Sequence, residues 1–248
     1  MSKLFRIFLL LVILLGIALY LMPLRIAVAM AGIEDDKFSA RDISGSIWNG
    51  RIEGAQIGSY PLGDLDAGVQ FFPLLVGAVK MDLERTATDE QNGLIATIGK
   101  KDGALLIENA STKINVGQQL APLPASTVDI ENVSLSFANG RCQSASGTVR
   151  MSLDANIPGL DLKQGLLGNA ICQDGVLVLP LKSGSAMETL TLKLAGDGTY
   201  SGRLLLTGGN RAWTLLLPTL GFRKVPNGYV ITLAGQLASG NFSGQLER

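Results

Sequence analysis

Seven Asn-Gly or Asp-Gly dipeptides constrain the fold of this 248-residue chain more than any other feature of its sequence. Both residues of such a dipeptide tolerate the positive φ angles of a type I′ turn, which joins two neighbouring antiparallel strands. Short apolar or alternating runs lie between the dipeptides. In Leu190–Leu194, for example, the three leucines alternate with a threonine and a lysine. Such alternation gives a strand one apolar and one polar face. The dipeptides are Asn49-Gly50, Asn92-Gly93, Asp102-Gly103, Asn139-Gly140, Asp174-Gly175, Asp197-Gly198 and Asn227-Gly228.

These patterns predict a mainly β protein, in which an antiparallel curved β-sheet or sandwich follows the N-terminal segment. The glycine content supports this, because 30 of 248 residues are glycine where about 7% is usual. Helices are expected to be few and short. Gln118–Leu123 precedes a proline, and Leu160–Ala170 has a helical pattern that Gly165 and Gly168 weaken.

The N-terminal segment contains an unbroken apolar run from Ile7 to Leu24. Eighteen residues in a helix extend about 27 Å, close to the hydrocarbon thickness of a bilayer. Lys3 and Arg6 precede the run, and positive charges there hold the N-terminus in the cytoplasm. The run predicts a single N-terminal transmembrane helix that acts as an uncleaved signal anchor.

Two other interpretations of this run stay open at this point. A cleavable signal peptide is one, because Ala27–Ala29 and Ala29–Ala31 offer small residues at the spacing of a cleavage site. A buried core helix is the other. The anchor interpretation divides the chain into a cytoplasmic tip with its transmembrane anchor, residues 1–31, and a β-rich domain outside the cytoplasm, residues 32–248.

The only two cysteines, Cys142 and Cys172, lie 30 residues apart. An even number of cysteines in an exported protein indicates a disulfide. Two buried thiols that pack as small apolar side chains are the alternative. We expect the disulfide, since the anchor would export this part of the chain.

Several classes of function are excluded or disfavoured by composition. The chain has no histidine, which excludes Ser-His-Asp triads, Cys-His dyads and histidine-ligated metals. The 21 basic and 21 acidic residues balance, whereas nucleic-acid binding needs a basic face. No phosphate-binding glycine loop or nucleophile elbow is present. We therefore expect no catalysis, no cofactor, no metal and no nucleic-acid partner.

A few polar clusters are weaker candidates for a functional site. Asp64 and Asp66 would share one face of a strand, as paired carboxylates or as a plain polar face. Residues 34–36, Glu-Asp-Asp, adjoin the membrane segment and fit a solvated linker better than a metal site. Three triplets match the Asn-x-Ser glycosylation pattern, which matters only in a eukaryotic secretory pathway; they begin at Asn109, Asn132 and Asn241.

The segment Ser44–Ile52, which contains Gly45, Trp48 and Gly50, resembles a motif near the start of the periplasmic part of the type II secretion system protein N family. Further segments are similar to that family in the same order along nearly the whole chain. One departure is Val69–Phe72, where members often carry a tryptophan. The further segments are Pro61–Leu65, a strand with Pro73 and Gly77, Arg141–Cys142 with Ala145–Val149, Leu217–Gly221, and Asn227–Tyr229 with Gly228.

The resemblance implies an inner-membrane protein of a Gram-negative bacterium, with a single anchor and a periplasmic β domain. It implies an accessory component of the apparatus that moves folded proteins across the outer membrane, with other secretion-apparatus proteins as partners. It implies no catalytic residues.

A lipid-binding or lipid-transfer protein is the alternative function. Curved sheets with one continuous apolar face occur in membrane-anchored lipid carriers. Three leucine-rich segments would line such a groove as strands, namely Val176–Leu181, Leu204–Leu206 and Leu215–Leu217. An ordinary hydrophobic core is the plainer interpretation of the same residues.

Overall fold

The computed structural model describes residues 3–30, 38–57, 60–88, 91–116, 125–153, 165–209 and 211–236. The chain forms two compact units, which we call unit 1, Met1–Arg85, and unit 2, Thr86–Arg248. Strands account for 62% of the structure and pair antiparallel, which confirms the prediction of a mainly β protein with an antiparallel sheet.

The described residues of unit 1 form three helices and five strands. Strand β3 lies beside β4, and β4 lies beside β5, while both β1 and β2 pair with β3. The elements are α1 (Lys3–Tyr20), α2 (Leu24–Met30), β1 (Phe38–Ser39), β2 (Asp42–Ser46), β3 (Asn49–Ile57), β4 (Tyr60–Val69), α3 (Phe71–Leu75) and β5 (Val79–Arg85).

The core of unit 1 joins α2 to the sheet. Leu24 and Val28 lie one helical turn apart and are both buried, so they form one apolar face of α2. Ile52 of β3 and Leu65 of β4 are opposite each other in the register and are also buried. Burial of each such side chain contributes roughly 1.5–3 kcal/mol, so α2 is an integral part of unit 1.

Helix α1 has eighteen residues but ends four residues before the end of the apolar run that predicts it. It ends at Tyr20, Pro23 forms an isolated antiparallel bridge with Ser46, and Leu24 begins α2. A proline disfavours helical geometry at the residue before it, which is why the single helix expected over residues 7–24 is not formed. Among the described residues, no helix combines the length and apolarity that crossing a membrane requires.

Unit 2 contains one described helix and eleven described strands. The strand order is β6-β7-β8-β9-β10-β12-β13-β14-β16-β15, and β11 also pairs with β12. The elements are β6 (Leu94–Lys101), β7 (Ala104–Asn115), β8 (Ala125–Ala138), β9 (Arg141–Leu153), β10 (Leu166–Asn169), β11 (Ile171–Gln173), β12 (Val176–Lys182), β13 (Glu188–Leu194), β14 (Thr199–Thr207), α4 (Arg211–Thr219), β15 (Arg223–Val225) and β16 (Gly228–Gln236).

One face of the unit 2 sheet forms the hydrophobic core. Leu190 pairs with Leu204, which pairs with Ile231 on the next strand, and all three are almost fully buried. The intervening residues point to the other face, as the period of two requires. Trp213 and Leu217 of α4 belong to the same core cluster. Leucines of β12 and β14 that the lipid alternative placed in a groove, such as Leu181 and Leu206, are therefore packed inside the protein.

Three of the seven turn dipeptides form the predicted two-residue turns. Asp102-Gly103, Asn139-Gly140 and Asp174-Gly175 have positive φ at both residues and connect paired strands. Asn49-Gly50 lies inside β3 instead, and the turn before it consists of Ile47 and Trp48.

Three predictions of local structure are wrong. Leu166–Asn169, inside the predicted helix Leu160–Ala170, is strand β10, because four of its residues pair with β9. The strand expected around Pro73 is helix α3, and Leu215–Leu217 lies in helix α4. The predicted helix Gln118–Leu123 lies outside the described residues.

Candidate interaction surfaces

The hairpin of β2 and β3 carries the first family-like motif. Gly45 has φ +80°, and a Cβ there would lie 2.6 Å from the backbone oxygen of Asn49. A Cβ on Gly50 would lie 2.5 Å from Cδ2 of Leu24. The two glycines thus allow a tight hairpin to receive helix α2 on its surface, and they leave Trp48 at the turn.

The segment after α1 is hydrogen-bonded to this turn. The amide of Ile47 donates to the carbonyl of Met22 at 2.9 Å, and the amide of Val69 donates to the carbonyl of Ile47 at 2.7 Å. Two residues separate Tyr20, the end of α1, from Pro23 and its bridge to Ser46. The end of α1 is therefore fixed to the β2–β3 turn by backbone contacts.

Helix α3 follows β4 and brings an aromatic side chain to Trp48. The Trp48 and Phe71 ring centroids are 6.0 Å apart, and those of Phe71 and Phe72 are 5.8 Å apart. Both distances lie in the range of favourable aromatic pairs. Phe71 belongs to Val69–Phe72, the segment that departs from the family-like pattern, and the structure places its ring against Trp48.

Pro73 and Gly77 explain why α3 is a single turn. Pro73 lies in the first turn, where a helix needs no amide donor. Gly77 has φ +74°, its amide donates to Leu74, and the amide of Ala78 donates to Pro73. These two hydrogen bonds form a Schellman cap. The same cap ends α4, where Gly221 has φ +87° and the Phe222 amide donates to Leu217.

An exposed apolar surface surrounds α3, and α3 has no buried residue. Its most exposed members are Phe72, Val76 and Leu75, at 79%, 70% and 69% of their maximal area. Contiguous exposed apolar side chains on a folded unit mark an interaction site. We call this set the α3 patch, and it consists of Phe71, Phe72, Leu74, Leu75 and Val76.

A second exposed apolar surface lies on α4 in unit 2. Trp213 and Leu217 face the core, and the Tyr229 ring lies 6.5 Å from that of Trp213. The opposite side of the helix is exposed and apolar. We call it the α4 patch, and it consists of Leu215, Leu216 and Leu220.

Gly228 begins β16 beside α4. Its φ is +148°, and a Cβ there would collide with the backbone oxygen of Leu206. Together with Gly221, which caps α4, Gly228 has a structural role in the fold around the α4 patch. Backbone geometry therefore explains why both positions are glycine, without a role in catalysis.

The predicted carboxylate pair lies on one exposed face of β4, as expected. Arg51 of β3 lies between the two side chains: its Nη2 is 3.7 Å from Asp64 and its Nη1 is 3.3 Å from Asp66. Asp64 also accepts a hydrogen bond from the Gly54 amide at 2.9 Å. This arrangement is a surface ion-pair network, since each carboxylate already has a cationic partner.

The described residues contain no group of three or more Asp, Glu or Cys side chains placed to hold a metal ion. Residues 34–36, the other acidic cluster, lie outside the described part of the chain. In the described part of the chain, two side chains have a shifted pKa. Hydrogen bonds from the hydroxyl and then the amide of Thr199 lower the pKa of the Asp197 carboxyl, and burial raises the pKa of the Tyr200 hydroxyl. The Asp197 contacts organise a hairpin turn.

The predicted disulfide is present. Cys142 of β9 and Cys172 of β11 are bonded, with Cα atoms 5.6 Å apart. The amide of Cys142 also donates to the carbonyl of Gly175 in the following hairpin turn. The bond therefore fixes the β11–β12 hairpin to β9 in the core of unit 2.

Two of the Asn-x-Ser triplets have a structural explanation that the sequence did not reveal. The Asn109 amide donates to the Ser134 hydroxyl at 3.0 Å, and the Asn132 amide donates to the Ser111 hydroxyl at 2.9 Å. Both asparagines have positive φ and lie at irregularities between β7 and β8. The asparagine of each triplet thus forms a bulge, and the serine of each triplet accepts a hydrogen bond from the asparagine amide of the other triplet. The triplet at Asn241 lies outside the described residues.

Comparison with known proteins agrees with the motif order. A family model described as type II secretion system (T2SS), protein N matches residues 36–232. The matched range contains Trp48, α3, the disulfide and α4. No curated protein and no solved structure gives a significant match to the chain.

Proposed function

Because the chain belongs to the type II secretion system protein N family, we propose that it is a non-catalytic accessory component of the type II secretion apparatus. In this proposal α1 anchors it in the inner membrane, and both β units lie in the periplasm. It assists the export of folded proteins across the outer membrane by binding other apparatus proteins. The family match over residues 36–232 is the observation that carries the proposal.

The surface of α1 supports the anchor. Phe8, Leu10 and Leu14 expose 66%, 66% and 70% of their maximal area, which is unfavourable in water. Lys3 and Arg6 precede the apolar part of the helix and fix its N-terminus on the cytoplasmic side. The rest of the chain then lies in the periplasm, where the disulfide is stable.

The packing of α2 supports retention of the N-terminal segment. Signal-peptide cleavage after Ala29 or Ala31 would remove Leu24 and Val28 from the core of unit 1. It would also remove Met22, which accepts the hydrogen bond of the Ile47 amide. We therefore propose that the segment is an uncleaved anchor, in preference to a cleavable signal peptide.

A binding role is supported by the surfaces. The carboxylates Asp64 and Asp66 are engaged by Arg51, whereas the α3 and α4 patches expose apolar side chains. Strand β15, which ends the strand order of unit 2, has only three residues, and Arg223 and Lys224 are exposed on it. Short, charged edge strands resist pairing with another chain. The α4 patch is therefore the proposed contact with another apparatus protein, in preference to strand addition at β15.

Site-specific cross-linking in cells tests this proposal. A photo-reactive amino acid at position 215 or 216 is expected to capture secretion-apparatus proteins, because these side chains are exposed on the α4 patch. The matched control carries the same amino acid at Lys193, on the polar face of β13. Capture of the same proteins from both positions, or of no apparatus protein from the α4 patch, would contradict the proposed contact.

A further inference from the structure

We infer that the α3 patch, together with Trp48, lies in the interfacial layer of the bilayer that holds α1. Unit 1 would then rest on the membrane surface at two places, the anchor and the α3 patch. This inference rests on the proposed anchoring of α1. It adds a second membrane contact and names a lipid surface as the occupant of the patch.

The path from anchor to patch is short and continuous. The Met22 carbonyl accepts the hydrogen bond of Ile47 at 2.9 Å, Trp48 is the next residue, and its ring centroid lies 6.0 Å from that of Phe71. Val69, two residues before Phe71, donates to Ile47. The patch is thus held beside the point where the chain leaves α1, and no flexible linker separates them.

The length of α1 brings its junction with the β2–β3 turn, at Leu21 and Met22, close to the membrane. The apolar part of α1 from Ile7 to Tyr20 has fourteen residues, or about 21 Å at 1.5 Å per residue, against a hydrocarbon core of about 30 Å. A short apolar helix draws its flanking residues towards the bilayer. With Arg6 at the cytoplasmic surface, the residues drawn in are Leu21, Met22 and the turn that is bonded to them.

The chemistry of the patch suits this position. Tryptophan and phenylalanine favour the boundary between headgroups and acyl chains. Helix α3 contributes nothing to the core of unit 1, since none of its residues is buried. Leu21 and Ile26, on either side of Pro23, are also exposed, at 64% and 43%. The apolar surface thus continues from α1 across the junction.

Charge attraction is not the source of the proposed contact. Arg25 lies 4.0 Å from Asp42, and Gln70 donates to Asp82 at 2.7 Å, so carboxylates lie beside the junction. The backbone amide of Gln70 also donates a hydrogen bond to the backbone carbonyl of Lys80. A contact driven by apolar burial predicts association with zwitterionic lipid, without a need for anionic headgroups.

Tryptophan quenching in nanodiscs tests the inference on the full chain. The nanodiscs contain phosphatidylcholine with bromine near the headgroup end or near the methyl end of the acyl chains. Trp213→Phe leaves Trp48 as the only tryptophan, since the chain has two. Because an interfacial group lies about 5–10 Å into the headgroup and acyl boundary, we expect quenching at least about twofold stronger by the shallow bromines.

The variant that tests the patch is Phe72→Ser with Leu75→Ser and Val76→Ser. These side chains are exposed and not part of the core, so the fold should persist while Trp48 quenching falls and its accessibility to iodide rises. The matched control replaces Leu215 and Leu216 with serine, because they are exposed apolar residues on unit 2. This control should leave Trp48 quenching unchanged.

The outcomes separate the inference from the anchor. If the full chain does not co-elute with the nanodiscs, the anchor fails and the inference fails with it. If it co-elutes but Trp48 stays accessible to iodide and is not quenched, only the inference fails, and the α3 patch is left for a protein partner. Equal quenching in the triple-serine variant would also overturn it.

Discussion

Loss of the Cys142–Cys172 bond should lower the stability of unit 2 by an amount that follows from its loop length. The two cysteines are separated by 30 residues. On the chain-entropy model, closing a loop of this size stabilises by about 3.7 kcal/mol at 25 °C, which is a factor of roughly 500 in the unfolding equilibrium. With a urea m-value of about 2 kcal/mol/M, the unfolding midpoint should fall by about 1.5–2 M on reduction.

Tryptophan fluorescence can report this change for unit 2 alone. Trp213 is buried in the unit 2 core, so Trp48→Phe makes it the only reporter. The chain is unfolded with urea in nonionic detergent, with and without a thiol reductant. The control variant, Trp213→Phe, reports on unit 1, which lacks the disulfide, and its midpoint should stay the same. A shift of less than about 0.3 M at Trp213 would refute the loop-length reasoning.

Three further predictions concern side chains and turns. Leu24→Ala should lower the unfolding free energy of unit 1 by about 2–5 kcal/mol, because a fully buried leucine leaves a cavity; an unchanged Trp48 unfolding midpoint would show that α2 is not part of the core. Gly147→Ala should destabilise unit 2 more than Gly103→Ala, since only the Cβ at Gly147 meets backbone, 2.5 Å from the Asn132 oxygen; equal midpoints for the two variants would contradict this. The lowered pKa of Asp197 means that its contacts stabilise the hairpin above the unfolded pKa, near 3.8, and that this is lost as pH falls through the folded pKa; carboxyl titration by NMR should give a value below that of Asp197 in a Thr199→Ala variant, and identical values would refute the assigned cause.

The sequence predicts the strands of unit 2 well because its strand signals are local. Asp102-Gly103 determines both the turn and the register of its hairpin, in which Lys101 pairs with Ala104. Alternation in Leu190–Leu194 correctly identifies the buried face. The disulfide prediction needed only the cysteine count and the expected export.

The helices were harder to predict because their signals resemble those of strands and turns. The motif of Pro73 and Gly77 predicts a strand, and Leu215–Leu217 is expected as another, whereas Gly77 and Gly221 both cap helices with positive φ. A proline followed within four residues by glycine, flanked by apolar residues, is the signal that identifies these short helices. Pro23 is a further local signal, because it ends the helical path after Tyr20 and forms a bridge with Ser46.

The interaction surfaces could not be predicted from sequence periodicity. The pair Trp48 and Phe71 is separated by more than twenty residues, and the pair arises only because Val69 bonds to Ile47. Likewise, Asp64 and Asp66 share a strand face as predicted, but Arg51 comes from the neighbouring strand. Pairings between strands, rather than local patterns, decide what these residues can do.

The distribution of an exported protein between periplasm and culture medium tests the central claim most directly. In the organism that carries this gene, its deletion should make a type II substrate accumulate in the periplasm, and the full chain should restore release into the medium. A complementing chain with Asp64→Ala and Asp66→Ala should restore release equally well. Normal release without the gene would contradict the proposed role in type II secretion.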